Sequence, residues 1–209
     1  MSELQRLKGL LPPENQTWVF VEPAAAVDPP LITLEEIGRD EVEIQVDLEP
    51  WEDLAIDHRN LLFWHEVGKI QNDSIPRDGW EMAALAIGLG GAIGELWVQD
   101  GLLLLMAMGL SGFAGYRLYL KNNSEKRLQD AIGADERAID LACRFGYSVP
   151  NAYKSLGGAL KDLIEKTRKK KKRGFYEDRL EALRKSAEKA RAEMADQEGS
   201  RNSITSENV

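Results

Sequence analysis

The chain has 209 residues, a formal net charge of −8, two histidines and a single cysteine. One cysteine, Cys143, excludes an intramolecular disulfide and a cysteine-based metal cage, and on a helix it reads as a small apolar residue. Residues 1–60 carry 14 Asp/Glu against 4 Lys/Arg, whereas residues 117–194 carry 12 against 20. This split predicts that the acidic front docks on the basic back, or that the back meets an acidic surface.

The opening Met1-Ser2-Glu3-Leu4-Gln5-Arg6 has no apolar core or small-residue cleavage site, so no secretory signal peptide is expected. Residues 1–11 suit a short helix that Pro12-Pro13 ends. Thr17 to Val21 is β-rich. Glu41 to Leu48 alternates strictly, placing Val42, Ile44, Val46 and Leu48 on one face, with a proline-marked loop between the two runs. A small sheet or hairpin follows from this pattern. Pro50 opens a helix to about Gln71, carrying Trp51, Leu54, Leu61, Leu62, Trp64, Val67 and Ile70, and Asn72 to Pro76 closes it.

Residues 82–94 and 101–116 are two uncharged runs interrupted only by Glu95 to Asp100. Trp80 and Trp97 would stand about 25 Å apart along a helix, close to the roughly 30 Å hydrocarbon core, and Tyr116 and Tyr119 flank the second run. The expected fold is therefore mainly α: a two-helix transmembrane hairpin with a small N-terminal β-containing segment and a C-terminal helical region. The division is 1–78, an acidic cytoplasmic segment; 79–120, the hairpin; 121–195, a basic helical cytoplasmic region; and 196–209, a disordered tail. Small residues at helical spacing, Gly88, Gly90, Gly94, Ala107, Ser111 and Gly115, would let the two helices approach closely. Basic residues Lys69, Arg77, Arg117, Lys121, Lys126 and Arg127 flank the pair and none lies in its turn, which predicts both termini on the cytoplasmic side.

Three further helical patterns follow: Leu128, Ile132, Ile139, Ala142; then Tyr153, Leu156, Leu160, Leu163, Ile164; then Tyr176, Leu180, Leu183, Ala187, Ala190, Met194. Ser148 can cap the second and Pro150 suits its first turn. The third has a seven-residue repeat that could pack on its neighbours or on another chain.

His65-Glu66 invites comparison with zinc proteases, in which two histidines stand one helical turn apart beside a glutamate base. Here Lys69 occupies the second histidine position, and His58 lies about 10.5 Å away along a straight helix, too far to share a metal. The bland reading of His65 and Glu66 is a locally hydrogen-bonded polar pair at the membrane-proximal edge. Glu95, two residues from Trp97, is an interfacial anchor or a proton- or partner-binding acid. Arg168, Lys169, Lys170, Lys171, Lys172 and Arg173 form six consecutive cations, read as a contact for anionic lipid headgroups or as a solvated linker. No aromatic-interleaved groove accompanies them, so nucleic acid is not an expected partner. No phosphate loop, nucleophile elbow or carboxylate cluster is visible, and no cofactor or metal is expected.

The segment Asn60 to Asp73, with Phe63-Trp64-His65-Glu66-Val67-Gly68 at its centre, continues into Pro76 to Glu81 and Gly94 to Gly101. It resembles a cyanobacterial membrane-protein family of unknown function. The resemblance implies a photosynthetic source and a thylakoid or plasma membrane location, and carries no catalytic residue with it. The functional expectation is an integral membrane scaffold or assembly protein without catalytic activity, bound to the lipid bilayer and to other membrane proteins or a second copy. The alternative is a membrane-embedded metal-dependent hydrolase using His65 and Glu66.

Overall fold

The computed structural model describes residues 2–25, 31–37, 41–71, 109, 112–113 and 124–206. Helix α1 spans Glu3–Lys8, and the Ser2 hydroxyl accepts from the Gln5 amide at 3.3 Å to cap it. Acidic Glu3 in its first turn and basic Arg6 and Lys8 in its last complement the helix dipole. One 3-10 turn, Pro13–Asn15, leads to β1, Val19–Pro23.

Strands β2, Ile32–Glu36, and β3, Val42–Val46, complete a sheet in the order β1-β3-β2. The register sets Val21 beside Ile44 in a parallel pair and Leu34 opposite Ile44 in an antiparallel one. The two expected extended runs are thus neighbours, though not a hairpin. The intervening β2 was hidden by the prolines before it. Strict alternation places Val19, Val21, Ile32, Leu34, Val42, Ile44 and Val46 inward and buried. The outward residues include Glu22, Glu35 and Glu43, so the solvent face of the sheet is acidic. Leu48 does not extend the strand, because it opens helix α2, Leu48–Glu52.

The single helix expected from Pro50 to Gln71 is broken at Asp53 to Ala55, and α3 spans Ile56–Gln71. The break lets Trp51 and Leu54, which straddle it, both enter the core. Trp51 Nε1 donates to Glu3 Oε1 at 3.1 Å, and Trp64 Nε1 donates to the Leu10 carbonyl at 3.1 Å. These bonds satisfy the polar edge of two fully buried indoles, as burial of such rings requires.

Beyond the intervening segment lie α4, Ser124–Arg144, α5, Val149–Lys166, and α6, Lys170–Ser206. All three expected post-hairpin helices are present, and α6 continues past the point where the composition turns polar. The apolar positions read from periodicity on α5, Leu156, Leu160 and Leu163, are buried, as are Tyr176, Leu180 and Leu183 of α6. Gly146, at φ +94°, reverses the chain after α4, and the Tyr147 amide returns to the Ala142 carbonyl at 3.0 Å. Ser148 occupies the N-cap position of α5 without a side-chain cap bond, and Pro150 lies in the first turn.

Residues 1–75 and 130–209 form one compact unit, in which α3 packs along α5, α1 along β1, and α5 along α6. Apolar burial joins the acidic front to the basic back: Leu61, Leu62, Phe63 and Trp64 share a core with Leu156, Leu160 and Leu163. At about 1.5–3 kcal/mol per fully buried large side chain, this contact outweighs exposed pairs such as Lys166 with Asp53. A polar relay also crosses the unit. Arg6 donates to Asn60, Asn60 Nδ2 donates to Tyr147 Oη at 2.9 Å, and Tyr147 Oη donates to Asp57 Oδ1 at 2.6 Å. Burial, and then the bond to Asp57, push the Tyr147 phenol above its usual range.

The expected transmembrane hairpin must be corrected. Among the described residues no helix is long and apolar enough to cross a membrane. Residues 79–120 lie outside the described residues apart from Gly109, Gly112 and Phe113, and so do Gly88, Gly90, Glu95, Gly94, Ala107, Ser111 and Gly115. The uncharged runs of 13 and 16 residues, even with aromatic residues at their flanks, are both shorter than the roughly 20 a span needs. The terminal orientation derived from the hairpin falls with it.

Helices α3 and α4 meet at Gly68, where a Cβ would stand 2.8 Å from the Ala134 carbonyl oxygen and 3.2 Å from Arg137 Cβ. Backbone cannot yield as a flexible side chain can. Gly68→Ala should therefore destabilise the chain by about 1–3 kcal/mol, despite the roughly 1 kcal/mol that alanine gains in helix propensity. Urea unfolding checks this, and an unchanged or higher midpoint would contradict the close approach.

Candidate functional site

His65 and Glu66 lie in the middle of α3, consecutive positions on a helix that is buried almost all round from Asn60 to Val67. Neither is at an edge. His65 is 3% exposed and Glu66 1%, so the locally hydrogen-bonded pair expected at a membrane-proximal edge lies in the core instead. Facing them are Asp135 from α4 and Arg179 from α6, each 3% exposed. Sequence reasoning missed both, although each stands on an apolar stripe: Asp135 between Ala134 and Ala138, and Arg179 between Tyr176 and Leu183. A charge on the buried face of an amphipathic helix is the signal that could have found them.

Arg179 grips Asp135 with two bonds, Nη2 to Oδ1 at 2.6 Å and Nε to Oδ2 at 3.1 Å. This is the bidentate geometry that gives guanidinium–carboxylate pairs their strength. The guanidinium also lies 5.9 Å from the ring centroids of Phe175 and Tyr176. His65 Nδ1 is 2.8 Å from Asp135 Oδ1 and 3.1 Å from Arg179 Nη2. The carboxylate contact is best made by an Nδ1–H donor, since a lone pair there would face Asp135. The Nε2 lone pair then points toward the Glu66 side, 4.0 Å from Oε1. Glu66 Oε1 accepts from Lys69 Nζ at 2.6 Å, while Glu66 Oε2 is buried with no hydrogen-bond partner among the described residues.

The electrostatics follow from enclosure. Burial, reinforced by the Arg179 charge, lowers the His65 imidazole to about 4, so it is neutral at physiological pH. For Asp135 burial acts the other way and favours the neutral acid, but Arg179 and His65 overcome it and hold the carboxyl at about 2. The result is an ionised Asp–Arg pair with a neutral histidine attached.

The second histidine is elsewhere. His58 Nδ1 pairs with Asp162 Oδ2 at 2.6 Å, packed against Gly158 of α5. Among the described residues no group of three His, Cys, Asp or Glu is placed to hold a metal ion. A cleft of about 220 Å³ between α5 and α6, lined by residues including Tyr153, Leu183, Ala187 and Met194, does not reach His65 or Glu66. The buried cluster ties α3, α4 and α6 together. Cys143 is half-buried and free, its thiol pushed up by burial and by the nearby Asp140 charge. The six cations from Arg168 to Arg173 lie in the α5–α6 turn and the first turn of α6, far along the sequence from the cluster's α3 and α4 members.

A family model described as a protein of unknown function, DUF3318, matches residues 5–147, which include most of α1, the sheet, α3 and α4 with its Asp135. The chain belongs to the DUF3318 family. It is also 70% identical over 192 residues to the thylakoid membrane protein slr1949 of Synechocystis sp. (strain ATCC 27184 / PCC 6803 / Kazusa), covering 92% of this chain and 91% of that one. This relative supports the cyanobacterial resemblance read from the sequence. No solved structure matches the chain. The DUF3318 match stops before α6, so Arg179, which completes the buried cluster, lies beyond the family segment.

Proposed function

We propose that this chain is a membrane-associated, non-enzymatic scaffold or assembly protein of the thylakoid. The observation that carries the reading is the 70% identity, over 92% of the chain, to a protein named for the thylakoid membrane. Its ionisable core residues support the non-catalytic part. Asp135, Arg179 and His65 pair with one another and are buried, and Glu66 gives one carboxylate oxygen to Lys69. A scaffold needs a rigid body with exposed surface for partners, and the sheet-and-helix unit has that form.

Fractionation of cyanobacterial cells producing an affinity-tagged chain tests the proposal. The chain is expected in the thylakoid fraction, and after mild detergent extraction it should migrate in a complex well above monomer size. Recovery as a soluble monomer after gentle lysis would overturn the membrane assignment. Recovery from the membrane only as a monomer, across several mild detergents, would overturn the scaffold assignment.

A further inference from the structure

The six cations Arg168 to Arg173 play no part in the core. Five are exposed and Lys172 is half-buried. They occupy the turn that joins two packed antiparallel helices, so they project from one end of a rigid pair. Arg173 is bonded to Glu177 at 3.0 Å on an exposed face, a pair worth little in water. Among the described residues no carboxylate is paired with Arg168, Lys170 or Lys171.

Their placement on α6 is also locally unfavourable. Lys170, Lys171 and Lys172 begin the helix, whose first turn holds no acidic residue. The N-terminus of a helix carries partial positive charge and unpaired N–H groups, so cations there repel it and anions relieve it. At the other side of the turn, Lys166 sits in the last turn of α5, where a cation is favourable. Arg168, Lys170 and Lys171 are therefore cations without a carboxylate partner among the described residues, within a protein whose net charge is −8. On an acidic protein a concentrated basic patch is a local site of attraction to an anionic surface.

We propose that residues 168–173 are a docking surface for anionic lipid headgroups, which orients the compact unit with the α5–α6 turn against the bilayer. The inference rests on the membrane reading above and deepens it by naming the lipid charge that is recognised. Each Lys or Arg near an anionic leaflet strengthens attraction by about fivefold. A run of this kind acts through summed charge, not through a fitted pocket, so its binding must weaken with salt.

Vesicle flotation with the full-length chain tests the proposal, comparing phosphatidylcholine vesicles with vesicles in which phosphatidylglycerol is mixed into the phosphatidylcholine. Wild type is expected to partition more strongly onto the anionic vesicles, with the excess lost at high salt. The variant Arg168→Gln/Lys170→Gln/Lys171→Gln changes exposed side chains only. It should lose on the order of a hundredfold of that excess while still partitioning onto neutral vesicles like wild type. Equal partition of wild type and variant onto anionic vesicles would overturn the lipid assignment alone. Failure of wild type to float with either vesicle would overturn the membrane reading itself. If wild type binds a DNA duplex more tightly than the anionic vesicles at equal phosphate concentration, the surface is a nucleic-acid site and the lipid assignment fails.

Discussion

Arg179→Met is expected to destabilise the chain by about 3–5 kcal/mol, because it leaves the Asp135 carboxylate buried with only a neutral histidine for company. Asp135→Leu should cost a similar amount by stranding the guanidinium. The informative variant is the double one. Removing both charges relieves both burial penalties, leaving chiefly the His65 N–H without its acceptor, a defect of about 1–3 kcal/mol. Asp135→Leu/Arg179→Met should therefore be more stable than either single variant, with a strong positive coupling in the cycle. Urea unfolding of all four chains in one detergent provides the measurement. Additive losses would show that the bidentate pair is not the unit the geometry describes.

Acid sensitivity should begin near neutrality. His65 binds its proton at about 4 in the folded chain, against 6.5 ordinarily, so between these values the unfolded chain holds more protons. Stability then rises with pH across the window. It is full above about pH 6.5 and falls as pH drops toward 4, by about 3 kcal/mol in all. Asp135, held at about 2 against 3.8, adds a second loss as pH falls from 3.8 to 2. His65→Asn, which retains a donor near Asp135 but does not titrate, should remove the upper limb and leave the lower. A wild-type stability profile flat from pH 7 to 5 would show that the imidazole is not held neutral.

How much of this was legible beforehand depended on whether a feature was local. The strand face Val42, Ile44, Val46 and the α5 stripe Leu156, Leu160, Leu163 are set by periodicity within a few turns of chain, and they read correctly, whereas the cationic run expected in a linker belongs from Lys170 onward to α6. The β2 strand escaped because five residues after Pro29-Pro30 carry too short an alternation to stand out. His65 and Glu66 drew attention, yet the partners of His65 are 70 and 114 residues away, and no spacing rule links α3 to Asp135 and Arg179. The pair was therefore placed at a membrane edge when it belongs to the core. The hairpin failed for a different reason: aromatic flanks do not make up for the shortness of the apolar runs.

The compact unit is assembled from the two ends of the chain, and that has a consequence in time. At about 5–20 residues per second, the ribosome needs roughly 4–16 s to pass from the end of α3 to the start of α5. Throughout that interval Leu61, Leu62, Phe63 and Trp64 have been made and the helix that covers them has not. The nascent chain thus carries an adhesive apolar face while residues 72–123 are being added. Whatever receives the emerging chain must shield the part of that face that α5 covers, and a chain cut short before Val149 leaves that part open.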